Sequence, residues 1–314
     1  MIKSNFLEDT FMRQLTRRQF IHTSLASAGL LAAAPMQLQI ARAASSTSLK
    51  GTDLVSLGKT GLKVTRLAQG TGFNGYNHTS EHTRRGKEAF DRLARHSLDR
   101  GITFFDMADL YGSHPFVKDV IKDLPRDKFT LLSKLWPRKE SWVTPSGGAK
   151  EEVDRFRKEL NTDWLDVCLI HCMQNAKWAD EYEKIRDDLS ELKQKKIVRA
   201  VGVSCHDLGA LKVASQHPWV DVIFARINHK AGSQYSCDGS VDEVSAVLTT
   251  ARANGKAVVG MKIFAAGKFA QQPEERDASL KYVFTNRLVD AITVGMLTTD
   301  EVDDTLKRIS EVKA

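Results

Sequence analysis

Four residues of reactive type stand at the ends of short apolar runs, where a fold can bring them together. Asp106 closes "ITFFD", Tyr111 follows in "FFDMADLYG", Lys134 closes "FTLLSK" and His171 closes "WLDVCLIH". Each has an ordinary explanation by itself: a helix cap, a packed ring with its hydroxyl in water, a solvated rim charge, a satisfied histidine. As a set they suit hydride transfer to a carbonyl. When hydride reaches the carbon, the oxygen becomes an alkoxide that must receive a proton, and a tyrosine can deliver it if its reference pKa of about 10 is brought down. A neighbouring ammonium favours the phenolate, and a carboxylate behind the lysine keeps that lysine charged, which assigns Tyr111, Lys134 and Asp106. Neutral His171 can donate a hydrogen bond that positions the carbonyl oxygen.

The elements that must position these residues are short β-branched runs alternating with amphipathic segments. Strands are expected at "TRLAQG", "ITFFD", "FTLLSK", "WLDVCLIH", "RAVGVS", "VDVIFARI", "AVVGMKI" and "AITVGM", each followed by a polar loop and a helical pattern. After the first of them, Phe90, Leu93, Ala94 and Leu98 fall on one helical face. Eight such units favour a parallel sheet closed into a (β/α)8 TIM barrel, a single domain whose chemistry sits at the C-terminal ends of the strands. The preceding "DLVSLGKTGLKV" reads as a hairpin turning at Lys59, Thr60 and Gly61, a plug for the barrel's N-terminal end.

The first 43 residues are set apart. A charged start, paired Arg17 and Arg18 in "TRRQFI", the mildly apolar "HTSLASAGLLAAAPM" and Ala41-Arg42-Ala43 resemble a twin-arginine (Tat) export signal with its cleavage site. His22 and Pro35 interrupt a run too short to span the membrane, so no stable insertion is expected. The resemblance implies partnership with the Tat translocation machinery, export to the periplasm, and a barrel comprising residues 44–314. The leader carries +3 of the formal +7, and the remaining charge is too mild, and too little interleaved with aromatics, to argue for nucleic acid. Cys168, Cys172, Cys205 and Cys237 are not spaced as a disulfide framework. Cys168 and Cys172, four steps apart on one strand, lie too far apart to bridge, while Cys172 with Cys205 across neighbouring strands stays open.

The stretch "GTGFNG", Gly70 to Gly75, matches the G-x-G-x-x-G spacing of a dinucleotide cradle. That motif needs a helix opening directly on its glycines and an acid about 20 positions on. Here helical spacing starts only near Arg84, and the first acid that ends a strand is Asp106, 31 positions after Gly75. Glycines at the end of a barrel strand are the better reading.

"LGKTGLKVTRLAQGTG", "GITFFDMADLYG", "LLSK", "LDVCLIH" and "KKIVRAVGVSC" occur in the order and approximate spacing of the aldo-keto reductases, and the chain resembles that family over essentially all of residues 53–314. The resemblance implies an NAD(P)H-dependent oxidoreductase acting on a small carbonyl or alcohol, with the tetrad falling on Asp106, Tyr111, Lys134 and His171. It implies that Gly72 and Phe73 stand beside the nicotinamide. Ser204, Cys205 and Arg226 would occupy the carboxamide side, where relatives commonly have Ser-Asn and glutamine. In place of a stacking tyrosine stands "GMKIFAAG", so Met261, Lys262 or Phe264 would cover the ring. With no long C-terminal loop, Trp136, Trp142 and Trp178 become candidates for the substrate pocket, packing being as ordinary a role for each.

After the last strand, "ITVGMLTTDEVDDTL" offers Gly295, Thr298 and Thr299 but no cation, and places Asp300 and Glu301 in the first helical turn. A carboxylate repels a 2′-phosphate, which favours NADH over NADPH, unless Lys268 or Arg276 reaches in. Two other readings are carried alongside. His171, Cys172, Cys205, His206, His229 and Cys237 use a zinc-ligand vocabulary, so a metal-dependent hydrolase is conceivable, although the spacings match no compact motif and the expected metal set is none. A non-catalytic exported barrel that binds nucleotide or sugar is the other.

Overall fold

The computed structural model describes residues 48–138 and 148–313, which fall within one compact unit. The proposed leader and Trp142 lie outside the described residues. The chain enters through an antiparallel hairpin, β1 (Leu54–Ser56) with β2 (Lys63–Thr65). Its loop needs left-handed backbone at Gly58 and Gly61, with φ of 52° and 78°. A Cβ on Gly58 would lie 2.4 Å from the Ala257 amide nitrogen, so the loop presses against the N-terminal end of a barrel strand. Leu57, Leu62 and Val64 from this hairpin join the core inside the barrel, which makes it the expected plug.

Eight parallel strands follow: β3 (Leu67–Gly70), β4 (Phe104–Asp106), β5 (Thr130–Leu135), β6 (Leu165–Met173), β7 (Val198–Cys205), β8 (Val222–Arg226), β9 (Ala257–Met261) and β10 (Ala291–Val294). They pair in chain order, and β10 closes on β3 with Ile292 opposite Leu67. This is the expected (β/α)8 barrel. Strand alternation divides the apolar side chains into two sets. Ala68, Phe104, Leu132, Val167, Leu169, Ala200, Phe224 and Val259 fill the interior, while Leu67, Phe105, Leu131, Cys168, Ile170 and Val203 pack outward with the helices. The helix Lys87–Asp99 buries Phe90, Leu93 and Ala94 as its spacing predicts. Among the described residues no helix is long and apolar enough to cross a membrane.

The alternation also aims the site. Asp106, Lys134, His171, Ser204, Arg226, Met261 and Thr293 each lie an even number of steps from an interior residue of their own strand, so the pleat turns them inward. Cys205 has the opposite parity and belongs to the outer core. In β6 the register shifts between Ile170 and Met173, and Cys172 takes a left-handed φ of 66°. That irregularity carries the strand two residues past its expected end at His171 and leaves Cys172 on the cavity wall.

Candidate active site

At the C-terminal end of the barrel lies a cavity of about 740 Å³. Asp106, Tyr111, Lys134 and His171 meet at its floor. Tyr111 closes a single 3-10 turn, Asp109–Tyr111, after β4. Its hydroxyl stands 3.4 Å from His171 Nε2, a long contact, with the two rings at 85°. The Lys134 ammonium is ion-paired with Asp106 Oδ1 and donates to the Met107 carbonyl at 2.9 Å. It lies 5.1 Å from the centre of the Tyr111 ring and 5.0 Å from that of Phe224. The second Asp106 oxygen accepts from the Thr293 hydroxyl at 2.9 Å, across the seam where the barrel closes.

The electrostatics differ in one respect from the expectation of a lowered tyrosine. Burial pushes the Tyr111 phenol well above its usual value, and the charges of Asp106 and Asp109 push the same way. The main reason is that the ring is buried away from water; Lys134, already paired with Asp106, does not present a bare cation to offset this. Burial also lowers Lys134, with Asp106 opposing it. His171 is held well below the ordinary histidine range, first by burial and then by Lys134 and other nearby positive groups. The floor therefore combines a neutral phenol with a neutral imidazole at physiological pH.

Asp109 was not singled out by sequence reasoning, although it braces the floor. Its two oxygens accept from the Leu110 amide at 2.7 Å and the Trp136 amide at 2.9 Å, tying the tyrosine turn to the end of β5. Burial pushes its carboxyl up to about 6. Trp136 in turn stands edge-on to His171, ring centres 5.7 Å apart, and Arg138 stacks on Trp136. Thr293 and Arg138 are further cavity residues that were missed, and His206, weighed only as a possible zinc ligand, also lines the cavity. Strand parity in "AITVGM" would have found Thr293; nothing local marks Arg138.

The expected cofactor residues divide. Gly72, Phe73, Met261, Lys262, Phe264 and Gly295 line the cavity. Lys262 is half-buried, and its ammonium has no hydrogen-bond or ion-pair partner among the described residues. Ser204, Cys205, Arg226 and Thr299 stand off the cavity wall. Ser204 accepts from the Cys172 amide at 2.7 Å, so its hydroxyl is committed to the β6 irregularity. Cys205 faces the helices by parity. Arg226 turns to Asp238, with Nε at 2.7 Å, and donates to the His206 carbonyl at 2.9 Å. Thr299 opens the helix Thr299–Glu311, whose cap is Thr298, and it is Glu301 and Thr305 one turn on that reach the cavity. Arg276 also lines it, paired with Asp304 at 2.7 Å. Lys268 instead lies over the Tyr235 ring. Trp136 is in the wall, whereas Trp178 is fully buried against Trp219 and His217.

The histidines and cysteines do not converge. His229 pairs with Glu275, the Cys237 thiol donates to the Lys230 carbonyl, and all four cysteines are free thiols, Cys172 and Cys205 included. Among the described residues no three His, Cys, Asp or Glu side chains are grouped to hold a metal.

Comparison with known proteins agrees with this geometry. Residues 70–310 match the model of the aldo/keto reductase family. L-Galactose dehydrogenase of Arabidopsis thaliana is 22% identical over 297 residues, spanning 83% of this chain and 89% of the relative. In fold, the chain is similar to aldo-keto reductase AKR11C1 from Bacillus halodurans, with a TM-score of 0.66 at 18% identity over 83% of this chain and 92% of that one. It is also similar to an aldo/keto reductase from Klebsiella pneumoniae in complex with NADP and acetate, TM-score 0.61 at 17% identity, covering 85% and 92%. With the family model matched over most of its length, the chain belongs to the aldo/keto reductase family and is an oxidoreductase.

Proposed function

We propose that this protein reduces an aldehyde or ketone to an alcohol with NAD(P)H, or runs the reverse reaction, with Tyr111 as the general acid or base. The observation that carries this is the Tyr111 hydroxyl beside His171 Nε2, with the Lys134–Asp106 pair against the same ring. The cavity fits a dinucleotide in size and chemistry: it is within the range of ligand sites, and Lys262 offers an uncompensated ammonium to a phosphate. A reduced nicotinamide, when bound, supplies the hydride. The protein's part is to orient the carbonyl oxygen between Tyr111 and His171 and to give it a proton. A phenol raised by burial keeps that proton at neutral pH, which suits reduction. A neutral His171 donates a hydrogen bond to the oxygen as its charge grows, without adding a competing acid. Tyr111→Phe tests the reading: turnover is expected to fall about 100-fold or more with cofactor affinity nearly unchanged, and undiminished turnover would overturn it.

Two finer points belong to the same proposal. Glu301 reaches the cavity and its carboxylate accepts from the Leu297 amide at 2.6 Å, while Arg276 is already paired with Asp304. A 2′-phosphate would meet a carboxylate and a committed cation, which supports NADH binding at least as tightly as NADPH. Titrating both against tryptophan fluorescence at one ionic strength decides it, a tenfold preference for NADPH being the contrary result. The paired Arg17 and Arg18 support export through the Tat machinery, with cofactor loaded before export and recycled in place. Mass spectrometry of native periplasmic protein should find the mature chain with bound nicotinamide; protein absent from the periplasm, or arriving empty, would refute the idea.

A further inference from the structure

The glycines first weighed as a phosphate cradle have a different neighbour. Gly72 and Gly75 are the ends of a four-residue turn, closed by the Gly75 amide donating to the Gly72 carbonyl at 2.9 Å, with Asn74 left-handed at φ 49°. Both ends press on the Tyr111 ring. A Cβ on Gly72 would lie 2.2 Å from Cε2 and 2.3 Å from Cζ, the carbon bearing the hydroxyl. A Cβ on Gly75 would lie 2.4 Å from Cδ1 and 2.9 Å from Cε1, on the opposite edge. The turn thus spans the phenol, one glycine at each edge. Ordinary Cβ contacts begin at 3.4 Å, so a methyl group at either place must displace the ring by about 1 Å.

The turn and the tyrosine also share one frame. The Thr71 hydroxyl bonds the Asp106 carbonyl at 2.9 Å and the Ser113 hydroxyl at 2.8 Å. His78 Nδ1 donates to the Asp109 carbonyl at 3.0 Å. Behind the tyrosine, Gly112 is left-handed at φ 62°, and a Cβ there would lie 2.0 Å from the His78 carbonyl oxygen. The loops after β3 and β4 are therefore locked to each other, and the ring cannot retreat without parting them.

We infer that Gly72 and Gly75 are positioning residues: together they set the Tyr111 hydroxyl against His171 Nε2, and side chains larger than hydrogen at either place move it off. This rests on Tyr111 being the proton donor. The test is Gly72→Ala and Gly75→Ala, each in the wild-type and the Tyr111→Phe chain, with turnover measured at saturating cofactor and cofactor affinity by fluorescence titration. In the wild-type chain each should lose about 10-fold to 100-fold in turnover, since a misplacement near 1 Å suffices for that. Cofactor affinity should stay within about twofold, and the Tyr111→Phe chain should lose nothing further, because no hydroxyl remains to be placed. Equal losses in both backgrounds, or a loss confined to cofactor affinity, would overturn the inference.

Thermal unfolding covers the case of a variant that folds poorly. Either alanine should lower the midpoint in the wild-type chain and leave it unchanged in a Tyr111→Ala chain, where the ring is gone; an equal drop in both, or failure to fold in both, overturns the clamp. The two readings also fail separately. Full turnover in Tyr111→Phe removes the proton donor, whereas lost turnover there with unimpaired glycine variants removes the clamp alone.

Discussion

On the β4 to β6 side of the cavity, Asp106 is held by Lys134 and Thr293, Asp109 by two backbone amides, and Tyr111 lies between two glycines and the lysine. On the β9 side, Lys262 projects an ammonium that meets no partner among the described residues, from a backbone held left-handed at φ 59°. Burial and the positive charge of Arg226 push that lysine below its usual range. The first side is bonded throughout by the protein itself; on the proposed function, an anion would complete the second. Catalytic groups gain by being fixed beforehand, because no reorganisation is then needed as charge develops. A half-buried cation without a counter-ion is costly in the free protein, and that cost is recovered when a ligand phosphate neutralises it.

Removing a member of the interlocked side should have the largest effect. Lys134→Met leaves the Asp106 carboxylate buried with only Thr293 to bond it, so stability in urea denaturation should fall by about 3 to 5 kcal/mol, with turnover lost as well. A loss under about 1 kcal/mol would show that the pair is not a strut of the fold.

Asp109→Asn sharpens the same side. Its folded carboxyl, pushed up to about 6, keeps its proton to higher pH than an unfolded one near 3.9. The folded chain therefore loses stability as pH rises from about 4 to about 6, by on the order of 3 kcal/mol, and is level in this respect above that window. The asparagine variant should lack the slope in thermal midpoint across those pH values. It should also lose turnover several-fold, because one of its two atoms becomes a donor facing the Leu110 or Trp136 amide.

The open side predicts smaller changes. Lys262→Met should weaken NADH binding roughly tenfold, or about 1.4 kcal/mol, with the difference shrinking as salt is added and thermal stability unchanged or raised. Smallest is Thr299→Ala, which removes a hydroxyl that stands off the wall; cofactor affinity should change by less than about twofold. A larger effect would mean that the helix start, rather than Glu301 and Thr305, meets the ligand.

Much of the floor was legible because it depends on local pattern. Eight runs of β-branched residues with helical spacing between them admit few closed solutions, and once the barrel is accepted, strand ends put Asp106, Lys134 and His171 at one mouth. Parity would have carried the reading further. Counting in twos along "RAVGVSC" sends Cys205 to the helices, and along "AITV" sends Thr293 inward to Asp106. The site's other misplacements have no such remedy. Ser204 is taken by an amide freed at the β6 irregularity, and Arg226 by an aspartate twelve residues on in a loop.

By itself, then, the order of residues determined which chemical groups exist and which strand carries each, because side-chain direction along a strand follows from a period of two. Only the tertiary structure decided what surrounds them. Whether Tyr111 is raised or lowered depends on how far burial and the Asp106 charge outweigh an ammonium already paired, and that balance is set by groups from β4, β5 and β10 that no local window contains. The same holds for "GTGFNG", whose spacing spoke of phosphate: glycine marks a place where something comes close, and the fold alone determines that the close neighbour is the ring of Tyr111.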